Sequence, residues 1–316
     1  MARPPSDPED SLAIRAAWLH YAGGLTQAAV AKRLGVPSVK AHRLIARAVD
    51  AGMVRVSIDG AIVECVELEQ ALCRRFGLGF CEVAPDLGEE GLPLRSLGMA
   101  GASWLRREVE LAGPEGVIGL GHGRTLAAAV QQLPRLDAAG LRFVSLIGGL
   151  TRKYAANPYD VMHTMAARTG AQSFVLPVPF YANSAEDRAV LLAQPGVRDI
   201  FDMARDAPLK VVGIGTADAG AQSVSSGMIE PREIAEITQV GGLGEMLGHF
   251  FDAKGRVLET ALTARLLAVD LEGPKAARIV AMAGGPGKVA AVAAVLASGH
   301  LHGLITDEAT ARALLT

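Results

Sequence analysis

The sequence predicts an α/β protein in two parts, a small all-α module at the N-terminus and a larger Rossmann-like α/β domain behind it. Three observations lead there. Half of the 316 residues are apolar but only 4% are aromatic, so the chain can bury a large core, built mainly from Ala, Val, Leu and Ile. Charge is divided unevenly: residues 1–58 carry eight basic and four acidic side chains, net +4, whereas the whole chain is −2. From residue 79 onward, short apolar runs alternate with segments of helical period, the signature of βαβ units around a buried parallel sheet. A basic module joined to an acidic one suggests that only the first meets a polyanion.

Residues 1–10 contain prolines and acids but no apolar stretch, and read as a disordered lead-in, not a signal peptide. A helix is expected over 12–22, ended by Gly23-Gly24. Thr26 is placed to N-cap a second helix running to Leu34. Gly35 supplies a tight turn, Val36 a core contact, and Pro37-Ser38 opens a third helix, Pro being suited to a first helical turn. In that third helix Ala41, Leu44, Ile45, Ala48 and Val49 share one face. Lys40, Arg43 and Arg47 share the opposite face, with His42 at its flank. Such a basic helix after a turn can lie in a DNA major groove, where Arg43 would reach guanine or phosphate and Ser38 and Lys40 come nearest the base edges. The same charges would also suit a plain three-helix bundle with a solvated face. Residues 53–58 alternate like a short strand, a small wing.

Beyond a linking helix at 66–76, strands are expected at 79–83, 116–120, 141–146, 173–177, 209–214, 278–282 and 303–306. Ligands of such sheets sit beyond the C-terminal strand ends, so the loops after the strands hold the candidate site. Gly119-Leu-Gly-His-Gly-Arg-Thr-Leu leads into a helix, where backbone N–H groups, Arg124 and Thr125 can meet an anion. It is neither a dinucleotide fingerprint nor a Walker loop. Ile147-Gly-Gly-Leu-Thr-Arg-Lys-Tyr runs to Asn157-Pro-Tyr-Asp, and Gly213-Ile-Gly-Thr-Ala and Gly284-Gly-Pro-Gly-Lys288 follow other strands. Near 241–252 a glycine turn holds Glu245 and Asp252, carboxylates that can accept from sugar hydroxyls or merely cap a helix.

Cys65, Cys73 and Cys81 lack C-x-x-C spacing and lie beside no His at ligand spacing, so they read as reduced thiols of a cytoplasmic protein without a metal or other cofactor. No run of about 18 apolar residues predicts a membrane span.

The stretch from Leu25-Thr-Gln-Ala-Ala-Val-Ala-Lys-Arg-Leu-Gly-Val to Gly52-Met-Val-Arg-Val closely resembles the helix-turn-helix of the SorC-type sugar-binding transcriptional regulators. Gly-His-Gly-Arg-Thr-Leu, Leu176-Pro-Val-Pro-Phe, Gly-Glu-Met-Leu-Gly-His-Phe-Phe-Asp, Ala283-Gly-Gly-Pro-Gly-Lys and Ile305-Thr-Asp-Glu-Ala-Thr-Ala resemble the family's effector domain and occur in the family's order. The resemblance covers nearly the whole chain from about Ser11. It implies a DNA-binding domain over 11–58, an effector domain over 59–316 with the fold of sugar-phosphate isomerases and deaminases, and a homo-tetramer. It further implies an operator-binding regulator of a carbohydrate or polyol operon, controlled by a sugar, polyol or sugar phosphate and not an enzyme. Thr26, Gln27, Ser38, Lys40, His42, Arg43 and Arg47 would then face DNA. Gly121, His122, Gly123, Arg124 and Thr125 would hold the effector's phosphate or terminal hydroxyl. Asn157 and Glu245 would turn to its hydroxyls, and Lys288 to an anionic end, with Asp252 of the 241–252 turn a further candidate for the effector. Glu245 stands where the family commonly carries Asp.

The competing class is a sugar-phosphate isomerase or aminosugar-phosphate deaminase with an appended DNA-binding module. Such chemistry needs a positioned carboxylate base, and Glu245, His249, His122 and Lys288 supply the residue types. No acidic signature resembling the isomerase's Asp-Gly-Ala-Asp-Glu is present. A second domain that only oligomerised would not require so many glycine-rich loops at strand ends.

Overall fold

In a computed structural model of the chain, residues 8–51, 53–54, 62–151, 157, 159–272 and 277–316 are described. The chain divides into two compact units, Met1–Gly60 and Ala61–Thr316.

The smaller unit opens with α1 (Pro8–Ala17), which continues as a π-helical turn, Trp18–Ala22. Residues 8–10 of the expected lead-in are therefore helical, and the rest of the lead-in lies outside the described residues. Helix α2 (Gln27–Leu34) is capped by Thr26, whose hydroxyl accepts from the Ala29 N–H at 3.3 Å. Gly35, left-handed at φ +66°, ends it. Helix α3 (Ser38–Asp50) follows Pro37. Ala13, Ala16 and Ala17 of α1, Val30 and Ala31 of α2, and Ala41, Leu44, Ile45 and Ala48 of α3 form one core. Most of the wing expected at 53–58 lies outside the described residues.

The larger unit begins with α4 (Val63–Phe76), then β1 (Phe80–Ala84), α5 (Leu94–Ala112), β2 (Val117–Leu120), α6 (Arg124–Gln132) and β3 (Arg142–Ser145). Next come α7 (Met162–Thr169), β4 (Gln172–Phe174), α8 (Ala185–Ala193), α9 (Pro195–Asp206), β5 (Leu209–Gly213), β6 (Gly215–Thr216), α10 (Gln222–Ser225) and α11 (Pro231–Gln239). The chain ends with β7 (Gly244–Met246), β8 (His249–Phe251), β9 (Arg278–Met282), α12 (Val289–Ala297), β10 (Gly303–Asp307) and α13 (Glu308–Leu315).

Among the described residues, seven strands form one parallel sheet in the order β1-β10-β9-β5-β2-β3-β4. Each of the seven expected strands contributes to it. Side chains alternate between its faces as the pleat requires. Ile118, Leu120, Phe143, Val211, Val280, Met282 and Ile305 pack with α5, α6 and α7. Val144, Val212, Ile279, Ala281 and Leu304 face the other core, with residues of α4, α9, α11, α12 and α13. Burial on both faces explains why these strands read as continuous apolar runs.

The short antiparallel sheet β6-β7-β8 was not expected. Gly215 opposes Glu245, and Glu245 opposes Phe250, so this sheet carries Glu245 toward the end of β5. The three cysteines are free thiols, and burial pushes each of them above its ordinary pKa.

Candidate functional site

Strand order decides where a site can form. From β2 the sheet proceeds through β3 and β4 on one side, while β5 returns to the other side of β2 and continues through β9. The crevice outside the carboxyl ends of β2 and β5 is thus the topological switch point. A cavity opens there, enclosing about 660 Å³ that is partly open to solvent.

The loop after β2 forms one wall. Gly121 extends the β2–β5 ladder by donating to Val211 at 2.8 Å. Gly123 then adopts φ +128°, ψ 164°, a conformation open essentially only to glycine, and aims the start of α6 at the cavity. Arg124 and Thr125 occupy that first turn and line the cavity, Thr125 buried and Arg124 half-buried. Among the described residues, Arg124's guanidinium has no hydrogen-bond or ion-pair partner. His122 also lines the cavity, edge-on to Phe180 with ring centroids 5.2 Å apart. Burial lowers its imidazole to about 4, so it is neutral near pH 7 and can both donate and accept.

The opposite wall comes from the loop after β5 and from β7. Gly215 has no side chain where Glu245 approaches; a Cβ there would lie 2.5 Å from the carboxylate. Glu245 accepts a hydrogen bond from the Gly248 N–H at 2.5 Å. Burial raises its pKa, while that bond and the Lys288 ammonium oppose the rise. Lys288 ends a 3₁₀ turn, Pro286–Lys288, just before α12, and donates to the Ile214 carbonyl at 2.5 Å. Burial first, and then Arg124, lower Lys288 to about 8, with Glu245 acting the other way. Two cations, one half-buried carboxylate, a neutral imidazole and a helix N-terminus therefore converge, an arrangement suited to an anionic group attached to hydroxyls.

Of the candidates read from the sequence, His122, Gly123, Arg124, Thr125, Glu245 and Lys288 line this cavity. Gly121 and Asn157 line a smaller adjoining hollow that shares His122. Asn157 is buried, and its side-chain carbonyl accepts from the Tyr159 N–H at 3.0 Å. Residues 152–156 and 158 lie outside the described residues. Asp252 is a correction, for it lines neither hollow. It closes its own turn, accepting from the N–H groups of Lys254 and Arg256 and from the Arg256 guanidinium, all at 2.7–2.9 Å. Tyr159, Leu247 and residues 213–216, all within motifs singled out in the sequence, also line it, as do Gln222, Ser223 and Met228, which the sequence does not mark. Nothing in the spacing of these three marks them, since they lie on the short α10 or in the loop after it.

In the smaller unit, Ser38, Lys40, His42 and Arg43 are exposed on α3, and Thr26 and Gln27 are exposed at the start of α2. Gln27 Oε1 and His42 Nδ1 pair at 3.2 Å, tying α2 to α3. Arg47 is exposed as well. Its guanidinium is ion-paired to Asp10 at 2.8 Å and to Glu9 at 3.2 Å, so it fastens α3 to α1.

Residues 61–316 match a protein-family profile described as "Putative sugar-binding domain". Over 98% of both chains, the sequence is 63% identical to the erythritol catabolism regulatory protein EryD of Brucella abortus (strain 2308). The chain belongs to the SorC-type family of sugar-binding transcriptional regulators. It is 34% identical to the transcriptional regulator LsrR of Enterobacter sp. (strain 638), over 97% of this chain and 93% of that protein. Among solved structures, full-length sorbitol operon regulator SorC of Klebsiella pneumoniae superposes with a TM-score of 0.69 at 25% identity, covering 98% of this chain and all of that one. The SorC-type effector fold is thus the larger unit, and the regulator reading prevails over the isomerase or deaminase one. Among the described residues no helix is long and apolar enough to cross a membrane, and no cluster of His, Cys, Asp and Glu could hold a metal ion.

Proposed function

We propose that the cavity between β2 and β5 binds a phosphorylated four-carbon polyol or sugar, and that its occupancy sets the affinity of α2 and α3 for operator DNA. The observation that carries this reading is the Arg124 guanidinium at the N-terminus of α6, without a partner among the described residues and facing the same cavity as Lys288. A neutral polyol would leave two cations against one carboxylate at the cavity wall, whereas a phosphate balances their charge. The carbon skeleton is inferred from the erythritol catabolism named for the 63%-identical Brucella regulator. Gln222, Ser223, His122 and Glu245 are the groups that would meet hydroxyls.

On this reading residues 11–58 are the DNA-binding module, with Thr26, Gln27, Ser38, Lys40, His42 and Arg43 toward the duplex. The protein works in the cytoplasm as a homo-tetramer, which presents paired recognition helices to symmetric half-sites. It binds the effector without converting it. Glu245 accepts from the Gly248 N–H and Lys288 donates to the Ile214 carbonyl, contacts that fix both groups in place for binding.

A thermal-shift panel of four- to six-carbon polyols, sugars and their phosphates tests the proposal. An effector at a hundredfold its Kd stabilises the larger unit by about 2.7 kcal/mol. Phosphorylated four-carbon members should give the largest shift and be recovered unchanged. Stabilisation by none of them, or their consumption by pure protein, would contradict it.

A further inference from the structure

Helix α3 has a feature that charge alone does not explain. Ala41, Leu44, Ile45 and Ala48 are its buried face. Along the opposite side, Val39, His42, Arg43 and Ala46 recur at i, i+3, i+4 and i+7, one continuous stripe. Val39 lies on the midline of that outer stripe, at its N-terminal end, and is 72% exposed, the most exposed large apolar side chain among the described residues of the smaller unit. It contributes nothing to the core, and a β-branched residue slightly disfavours the helix that holds it. Packing and propensity therefore both leave it unexplained.

Its surroundings indicate what it meets. Ser38 and Lys40 flank it, Arg43 stands one turn further along the stripe, and Lys32 and Arg33 are exposed at the end of α2. His42 is turned toward Gln27 of α2. The occupant of this face must be anionic around the edge and apolar at the centre. The DNA major groove has this pattern, with phosphates along its rims and the thymine 5-methyl as its apolar marker.

We propose that Val39 packs against the 5-methyl group of a thymine and so selects a T·A pair at one position of each operator half-site. This rests on the reading that α3 enters the major groove. Val39 and Arg43 are four residues apart, about 6 Å along the helix axis. At about 3.4 Å per base step, the thymine falls within about two base pairs of the group that Arg43 contacts.

The test uses the full-length chain and the duplex it enriches from a random-sequence pool. Each thymine of the recovered consensus is replaced in turn by deoxyuridine, which keeps the hydrogen-bonding edge and loses only the methyl. At one thymine per half-site, deoxyuridine should weaken wild-type binding about fourfold, the equivalent of one buried methylene. Val39→Ala should bind the thymine and deoxyuridine duplexes equally at that position, with an unchanged melting temperature because the side chain is exposed. Val39→Thr, which keeps one methyl, should retain part of the discrimination. Arg43→Ala should lower affinity for both duplexes and leave their ratio intact. Indifference of the wild type to every replacement, or full discrimination by Val39→Ala, would overturn the contact while leaving DNA binding in place. If the pool yields no consensus and Arg43→Ala binds like wild type, the groove reading itself falls and the contact with it.

Discussion

Arg124 and Lys288 enter one cavity from different strands of the sheet, and the guanidinium helps burial hold the Lys288 ammonium at about 8, well below its ordinary 10.5. An anion placed between them relieves their repulsion and draws a proton onto Lys288. Binding of a phosphorylated effector is therefore predicted to take up protons near pH 8–9. Its affinity should fall above about pH 8 by at most tenfold per pH unit. Calorimetry in buffers of different ionisation enthalpy measures the uptake, which should vanish in Lys288→Met. Without effector the sign is opposite. Between about pH 8 and 10.5 the unfolded chain binds more protons at this lysine, so stability should rise with pH across that window.

Gly123→Ala should damage the site from its backbone. At φ +128° and ψ 164° a Cβ is strained even though open space surrounds it. A cost on the order of 1–3 kcal/mol is expected if the loop keeps its shape. If the loop relaxes instead, α6 no longer points at the cavity and effector affinity falls. Urea denaturation and thermal shift on one preparation distinguish the two outcomes. Wild-type values in both would contradict the role given to this turn.

The two basic residues of α3 should behave differently. Arg43→Ala removes a guanidinium that has no partner among the described residues, and should cost about 1–3 kcal/mol of operator affinity if it makes a bidentate base contact. Arg47→Ala breaks exposed ion pairs to Glu9 and Asp10 and should cost the smaller unit no more than about 1 kcal/mol of stability. Its effect on operator affinity should be the smaller of the two. Fluorescence anisotropy against one duplex ranks them, and an Arg47 effect exceeding that of Arg43 would reverse the assignment.

What the sequence reveals and what it hides follow from length and pairing. The parallel strands are legible because each is a buried apolar run closed by a loop, as in β9, whose bounds coincide with the expected ones. The β6-β7-β8 sheet is hidden because strands of two or three residues, such as Gly215–Thr216, are too short to show alternation. Gly121–Thr125 stands out because a glycine-rich strand-to-helix turn is a local feature. Gln222 and Ser223 do not, because only the tertiary fold brings α10 to the cavity. Asp252 looked like a ligand group because sequence does not show that its carboxylate is spent on its own turn. The ion pairs of Arg47 are hidden too, because helical spacing puts it near Lys40 and Arg43, and only the packing of α1 supplies its acids.

Assembly is a separate expectation. A single small recognition module rarely gives enough specificity without a symmetric partner. Light scattering at micromolar concentration should report a tetramer. A monomer with full operator affinity would contradict it.

The most direct test of the effector cavity is a titration of the operator complex with a phosphorylated four-carbon polyol, read by fluorescence anisotropy for wild type and Arg124→Ala. Loss of one charge-assisted hydrogen bond is worth about 1.5–3 kcal/mol, roughly ten- to a hundredfold in affinity. Arg124→Ala should therefore bind effector-free operator as wild type does, since the substitution lies outside the smaller unit. It should require at least about tenfold more effector to change that binding. An Arg124→Ala protein with the wild-type effector response would contradict the assignment and place the sensing site elsewhere.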